Sequence, residues 1–180
     1  MNSYKIITDK DDIILKKKDN KFKLETKKKV KLPCDIINLV ENLEIYNLFK
    51  LLNDKLINKY KIIKNNLDTD ILLCFNNIIN EDDDDNSDDN FYITFRNTIT
   101  KNDINSILIT GKKNHISLDK EGWKKIAIDN ILISINLIKD ELEIKLNFEY
   151  IGDKIPIYAE NTLGLIFRKI IKNLILYYSN

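Results

Sequence analysis

GKKNHISLDKEGWKKI, residues 111–126, is the stretch on which the reading of this chain turns. It joins a basic run, a short alternating segment and a tryptophan. Asp119 suits a helix cap, because a short carboxylate accepts from backbone N–H groups one turn later. Lys120, Glu121, Trp123, Lys124 and Ile126 continue a helical pattern. On this reading a strand, HISLD, runs directly into a helix whose first turn carries Trp123. Ile126 and Ala127 follow it at helical spacing, which makes Trp123 a core anchor.

Two other places share that grammar of a strand running into a helix: KVKLPCDIINLV (29–40) and IPIYAENTLGLI (155–166). Upstream of the first, SYKIITD, DIILKKK and KFKLETK read as strands, and KKKDNK as a turn. Lys21-Phe22-Lys23-Leu24-Glu25 alternates cleanly between charged and apolar. Pro33 and Asp35 open a helix whose apolar spacing runs on to Tyr60, with a break available near Asn53-Asp54. DILLCFNNII (70–79) reads as a strand, as do FYITFRNTI and NSILITGKK. NILISINLI and LEIKLNFEYI form a hairpin about Lys139-Asp140-Glu141, and KIPIY is a short strand. The last helix runs from about Glu160 to Tyr178, with apolar positions 163, 166, 167, 170, 171, 174, 175 and 178 in one stripe. The expected fold is α+β: antiparallel β-sheets in strands-then-helix units, with the helices packed together on one side. Residues 1–80 form one such unit, 81–90 an acidic disordered loop, and 91–180 a strands-helix-hairpin-helix unit sharing one core with the first.

The formal charge is +1, from 29 bases and 28 acids among 180 residues. That balance conceals segregation. Residues 81–89, EDDDDNSDD, carry seven acids, and without them 29 bases face 21 acids. The first 33 residues hold eleven lysines against five acids. Ile, Lys and Asn dominate, a bias that A/T-rich codons would also produce.

Several function classes are excluded or disfavoured. His115 is the sole histidine, so no two-histidine site exists. The glycines, at 111, 122, 152 and 164, are scattered and make no phosphate loop. Cys34 and Cys74 lack metal-ligand spacing and read as buried thiols. Charges stand in MNSYKIITDKDD where a signal peptide needs an apolar core. No apolar run approaches the ~18 residues of a membrane span. The expectation is a non-enzymatic intracellular protein of cytoplasm or nucleus, with no metal or cofactor.

The segment Lys112-Lys113, then Ile116-Ser117-Leu118, then Trp123 resembles the transcriptional positive-coactivator family of single-stranded DNA-binding proteins. More loosely, 91–178 is similar in layout to the related Whirly proteins. The resemblance implies a non-enzymatic binder of single-stranded DNA or RNA, acting in replication, transcription or repair. Such binders use cations for phosphates and exposed rings for bases. The candidates are Lys16, Lys17, Lys18, Lys21, Lys23, Lys112, Lys113 and His115, with Tyr92 and Arg96 on one face of FYITFRNT.

Ser87, set among acids, fits an acid-directed kinase site, and the acidic run would compete with phosphate for the lysines. The apolar C-terminal helix, with no later segment to cover it, implies a homodimer or larger homo-oligomer. The competing reading is a protein–protein adaptor encoded by an A/T-rich virus or plasmid, its lysines owed to codon bias.

Overall fold

The computed structural model describes residues 3–31, 34–65, 68–76, 90–119, 121–151 and 157–179; of 157–160 it describes the backbone alone. The acidic run with Ser87, residues 154–156 of the expected strand KIPIY, and Lys120 lie outside the described residues, and the last two residues of KIPIY begin a helix instead.

Among the described residues the strands are β1 (Lys5–Lys10), β2 (Ile13–Lys18), β3 (Lys21–Lys29), β4 (Ile57–Asn65), β5 (Asp68–Phe75), β6 (Asn90–Asp103), β7 (Ser106–Lys112), β8 (Trp123–Ile138) and β9 (Glu141–Tyr150). They form one sheet in the order β1-β2-β3-β9-β8-β7-β6-β5-β4. Neighbours in this order run antiparallel. The first residues of β8, Trp123 to Ala127, also pair in parallel with Asn90 to Thr94 of β6, beyond the end of β7. The helices are α1 (Ile36–Glu41), α2 (Ile45–Leu52) and α3 (Ile157–Ser179).

Local turn chemistry builds the hairpins. Asp11 and Asp12 link β1 to β2 with φ of 59° and 60°. Two consecutive left-handed residues give the twist that hairpin strands require, and Asp tolerates that region. Lys139 (φ 58°) does similar work between β8 and β9. Pairing then extends far along the chain: β3 lies against β9, with Lys21 opposite Glu149 and Phe22 opposite Phe148.

One face of the sheet is apolar and inward. Ile13, Leu15, Phe22 and Leu24 meet Leu142, Ile144, Leu146 and Phe148 there, each at most 2% exposed. Helix α3 lies over β2 and β3 on this face. Gly164 is the point of closest approach. A Cβ there would stand 2.7 Å from Phe22 Cδ1 and Cε1 and 3.2 Å from Leu15 Cδ2. Alanine in a helix gains about 1 kcal/mol over glycine. Overpacking a filled core costs roughly 1–3 kcal/mol. Phe22 is held by Phe148 beneath it, so the second effect wins: Gly164→Ala is expected to lower stability by about 1 kcal/mol. Urea unfolding measures it, and a higher midpoint in the variant would show that the ring moves freely.

Four expectations are corrected. The stretch 36–60 is not one helix. It breaks at Leu43, which is left-handed (φ 64°), and α2 ends at Leu52. Ile57–Asn65 then forms edge strand β4, whose lysines 59, 61 and 64 mark an edge guarded against further pairing. Trp123 begins a strand of 16 residues instead of a helix. Gly122 just before it is left-handed (φ 78°), which interrupts any helix from Asp119, and the β-branched run after it finds β6, β7 and β9 as partners. HISLD belongs to no strand. The helices do not form a layer packed together: the long α3 lies over β2 and β3, while the short α1 and α2 cover the same core beside β6, β7 and β4.

Candidate functional site

The predicted basic surface divides between the two faces of the sheet. The rhythm of Ile13 and Leu15 carries on to Lys17, which points inward with its Nζ 5.6 Å from the centre of the Phe22 ring. That parity was readable in IILKKK. Lys16 and Lys23, a register pair, share the outer face with Lys18 and Lys21. Strand β9 answers this face with acids. Lys21 pairs with Glu149 at 3.2 Å, and within the hairpin Lys16 pairs with Glu25 at 3.3 Å. Lys23 Nζ sits 4.6 Å from the Tyr4 ring centre.

Arg96 and Lys112 form the second group, opposite each other on β6 and β7. Strands β9 and β8 separate this group from the first. Asp68 (2.8 Å) and Asp70 (3.5 Å) neutralise Arg96. Lys113 and His115 are exposed on a strap, residues 113–119, that leaves β7 and covers the outer face of β5 and β6.

The strap removes the supposed base-stacking face. Ile116, Leu118 and Trp123 pack over Leu72, Cys74 and Tyr92. Tyr92 and Thr94 are only 4% and 2% exposed. The Tyr92 hydroxyl accepts from the Leu118 backbone N–H at 3.1 Å. Thr94 Oγ1 donates to Asn114 Oδ1 at 2.6 Å, and Asn114 Nδ2 donates to Asp70 Oδ1 at 2.9 Å. Lys125 Nζ donates to the Ile116 carbonyl. Burial, then the neighbouring charge of Lys113, draws the Lys125 ammonium below its usual pKa. The opening stretch is thus an architectural clasp.

On the inner side, polar contacts tie the C-terminal part of α3 to the body. Arg168 Nη2 donates to the Lys10 carbonyl (2.7 Å) and to Asp11 (2.9 Å), and Lys172 Nζ reaches Asp11 at 2.8 Å. These two cations hold the Asp11 carboxyl below its ordinary pKa through their hydrogen bonds. Asn173 Nδ2 donates to the Leu52 carbonyl and to Asn53 Oδ1. Tyr178 donates to Asp35 at 2.6 Å, and Ser179 Oγ to the Lys29 carbonyl at 3.1 Å. Toward its N-terminal end α3 meets the sheet through Leu163, Gly164, Ile166 and Phe167.

That same end borders a cleft of 490 Å³ lined by Ser3, Lys5, Ile7, Lys17, Lys18, Asp19 and Asn161. Its floor adjoins the apolar interior, since Ile7 packs on the core and Lys17 overlies Phe22. Deeper under α3, two buried side-chain atoms have no hydrogen-bond partner among the described residues, Thr26 Oγ1 and Arg168 Nε. Thr26 lies opposite Ile13, and Ile13 opposite Lys10, whose carbonyl binds Arg168. Unmet polar atoms of this kind cost roughly 1–3 kcal/mol each. Among the described residues no cluster of ligating side chains could hold a metal ion.

No family model matches the chain, and no curated protein matches it. Solved structures do. The human StarD13 lipid transfer and protein localization domain is similar with a TM-score of 0.70 at 8% identity, over 99% of this chain and 90% of that one. Human StAR-related lipid transfer protein 5 gives 0.66 at 8% identity, over 97% and 86%. A STAR-related lipid transfer protein from Xanthomonas axonopodis gives 0.67 at 14% identity, over 98% and 99%. The fold is that of StAR-related lipid transfer domains.

This helix-grip arrangement overturns the single-stranded nucleic-acid reading and its positive-coactivator or Whirly resemblance. The physical reasons are those just described: paired lysines, two separated basic groups and a covered Tyr92. Nothing in the StAR-related fold favours the viral or plasmid adaptor either. The homo-oligomer expectation rested on an uncovered α3; Leu165, Leu176 and Tyr177 are exposed on that helix, but its main apolar stripe is covered. The stripe of α3 from Leu163 to Tyr178 is buried by the chain's own sheet, no member being more than 8% exposed. No helix among the described residues is long and apolar enough to cross a membrane. Sequence reasoning missed Ser3, Lys5, Ile7, Asp19 and Asn161. Only the inward parity of Lys17 signalled that cleft.

Proposed function

We propose that this protein binds an amphipathic lipid between α3 and the inner face of the sheet. The observation that carries this reading is the likeness to StAR-related lipid transfer domains over nearly the whole chain. The chain's own geometry supports it. The inner face offers a continuous apolar surface under one helix, and that helix is tied by polar contacts in its C-terminal part. The other end borders an open cleft. Leu15, Phe22 and Leu24 are closed over, so a chain enters when the N-terminal part of α3 lifts and its apolar residues exchange contacts. Lipid in the groove substitutes for the helix, which keeps apolar burial nearly constant and the cost of opening low.

Delipidated protein titrated with a fluorescent fatty-acyl probe tests this. One saturable site is expected, with a rise in Tm that grows with ligand concentration. Ligand at a hundred times its Kd adds about 2.7 kcal/mol to stability. Absence of saturable binding and of any Tm shift across fatty acids, phospholipids and sterols would refute the reading.

A further inference from the structure

We infer that Thr26 and Arg168 form a polar subsite in the groove beneath α3, and that the lipid it takes carries an oxygen, a hydroxyl or keto group, on its buried part. This rests on the lipid-binding reading and adds the chemistry of the buried chain to it.

The placement of Thr26 is the first argument. Phe22, Leu24 and Thr26 are successive buried positions on β3, so Thr26 faces the groove. It is 5% exposed. Its register partners are Ile13 on β2 and Ile144 on β9, both fully buried. In such surroundings valine would fill the same space without a polar atom. Buried polar atoms nearly always find a partner, yet Thr26 Oγ1 has none among the described residues. Local rules of this kind are broken chiefly at functional sites.

Arg168 is the second argument. Its Nη2 is taken by the Lys10 carbonyl and Asp11, which fixes the guanidinium. Its Nε is buried and, among the described residues, also unpartnered. Lys10 stands opposite Ile13, and Ile13 opposite Thr26, so one cross-strand row leads from Thr26 to the anchor of Arg168. Arginine Nε can only donate, and a threonine hydroxyl can donate or accept. An acceptor oxygen satisfies either group. A hydrocarbon chain offers none.

The path is the third argument. Helix α3 follows β3 from Gly164, over Phe22, to Ser179, which donates to the Lys29 carbonyl. Thr26 lies roughly 13 Å past Phe22 along the strand. A chain entering past Phe22 therefore meets it well inside, where Arg168 and Lys172 hold Asp11. The oxygen it recognises sits far down the chain from the headgroup.

The test uses the full chain, delipidated, and two matched pairs of probes. Ricinoleate against oleate places a hydroxyl at mid-chain, and ω-hydroxypalmitate against palmitate places it at the chain end. In at least one pair the hydroxylated acid is expected to bind about tenfold more tightly. In Thr26→Val that ratio should fall to near one, while affinity for the plain acid and the ligand-free Tm do not drop. Thr26→Ser keeps a hydroxyl and should keep the preference. Arg168→Lys keeps a cation for Asp11 but has no Nε, and should lower the ratio in part; an unchanged ratio would remove Arg168 from the subsite. Equal affinities within both pairs would overturn the inference and leave the lipid reading intact. So would a preference that survives in Thr26→Val, or a lower ligand-free Tm in that variant, since the hydroxyl would then serve the fold itself. Failure of all four acids to bind would overturn the lipid reading.

Discussion

Phe22→Ala is expected to cost about 3–5 kcal/mol, a large part of the ~5–15 kcal/mol that holds a typical domain folded. The ring is 1% exposed and stacks on Phe148 at 4.8 Å with a 13° interplanar angle. Tyr150 lies 6.1 Å away on the same strand as Phe148. Phe148 meets Phe167 of α3 at 4.7 Å. Phe22 itself is the surface on which Gly164 rests. One substitution thus opens a hole at the junction of β3, β9 and α3. The cavity cannot close easily, because the strands on both sides are locked in register. Urea unfolding is the measurement, with the midpoint lowered and the slope unchanged. Phe22→Leu should recover most of the loss. A loss below about 1 kcal/mol for alanine would mean that α3 does not rest on this ring.

The alternation that exposes Phe22 as a core residue is plain in Lys21-Phe22-Lys23-Leu24-Glu25, and local signals of that kind were legible throughout. They placed β2 and β3, β6 and β7, the β8–β9 hairpin, and α3 within a few residues. They misled where a local pattern was overridden from a distance. Ile57–Asn65 prolongs a plausible helix, yet β5 lies against it and takes it as a strand. Trp123 follows a good cap, yet β6 offers the start of β8 an edge beyond the last residue of β7.

The functional reading failed for a related reason. Lysine density is local, but charge compensation is not. Glu149 neutralises Lys21 from 128 positions away, a pairing that exists only once β3 meets β9. The cleft has the same character, assembled from residues 3–19 and Asn161. Asn114 and Asp70 likewise meet only when the strap folds back over β5, and their hydrogen bond turns a basic-looking loop into a cover. Alternation shows which side chains share a face. It does not show which strand will lie beside them.

Raising the pH should loosen this molecule steeply above about pH 10, and two tyrosines are the main cause. Tyr46 in α2 is 3% exposed, and burial pushes its phenol well above the usual value. Tyr178, near the end of α3, is raised by burial first and then by its hydrogen bond to Asp35. A phenol in the unfolded chain titrates near ~10. Below that pH both states carry the neutral form and these groups leave stability unchanged. Above it the unfolded chain ionises while the folded phenols resist, so the unfolded state gains. For Tyr46 the loss is about 1.4 kcal/mol per pH unit until its folded pKa is reached. Tyr178 steepens the slope in the same direction. Cys34, whose thiol is also raised by burial, bends the curve somewhat earlier and is removed with Cys34→Ala. Lys27 and Lys145, raised by their bonds to Glu141 and Glu143, lose stabilising charge in the same alkaline range. Tm measured from pH 8 to pH 11.5 should therefore be nearly flat at first and then fall. Tyr46→Phe should make the fall shallower and leave the flat part almost unchanged, since its hydroxyl makes only a long 3.4 Å contact to Asn97. Tyr178→Phe should also flatten the fall, but at a cost of roughly 1.5–3 kcal/mol at neutral pH for the lost bond to a carboxylate. An unchanged alkaline slope in the double variant would show that lysines and Cys34 govern it. Because Tyr178 ties the C-terminal end of α3, hydrogen exchange in that turn should quicken in Tyr178→Phe even at neutral pH, while the sheet amides keep their protection.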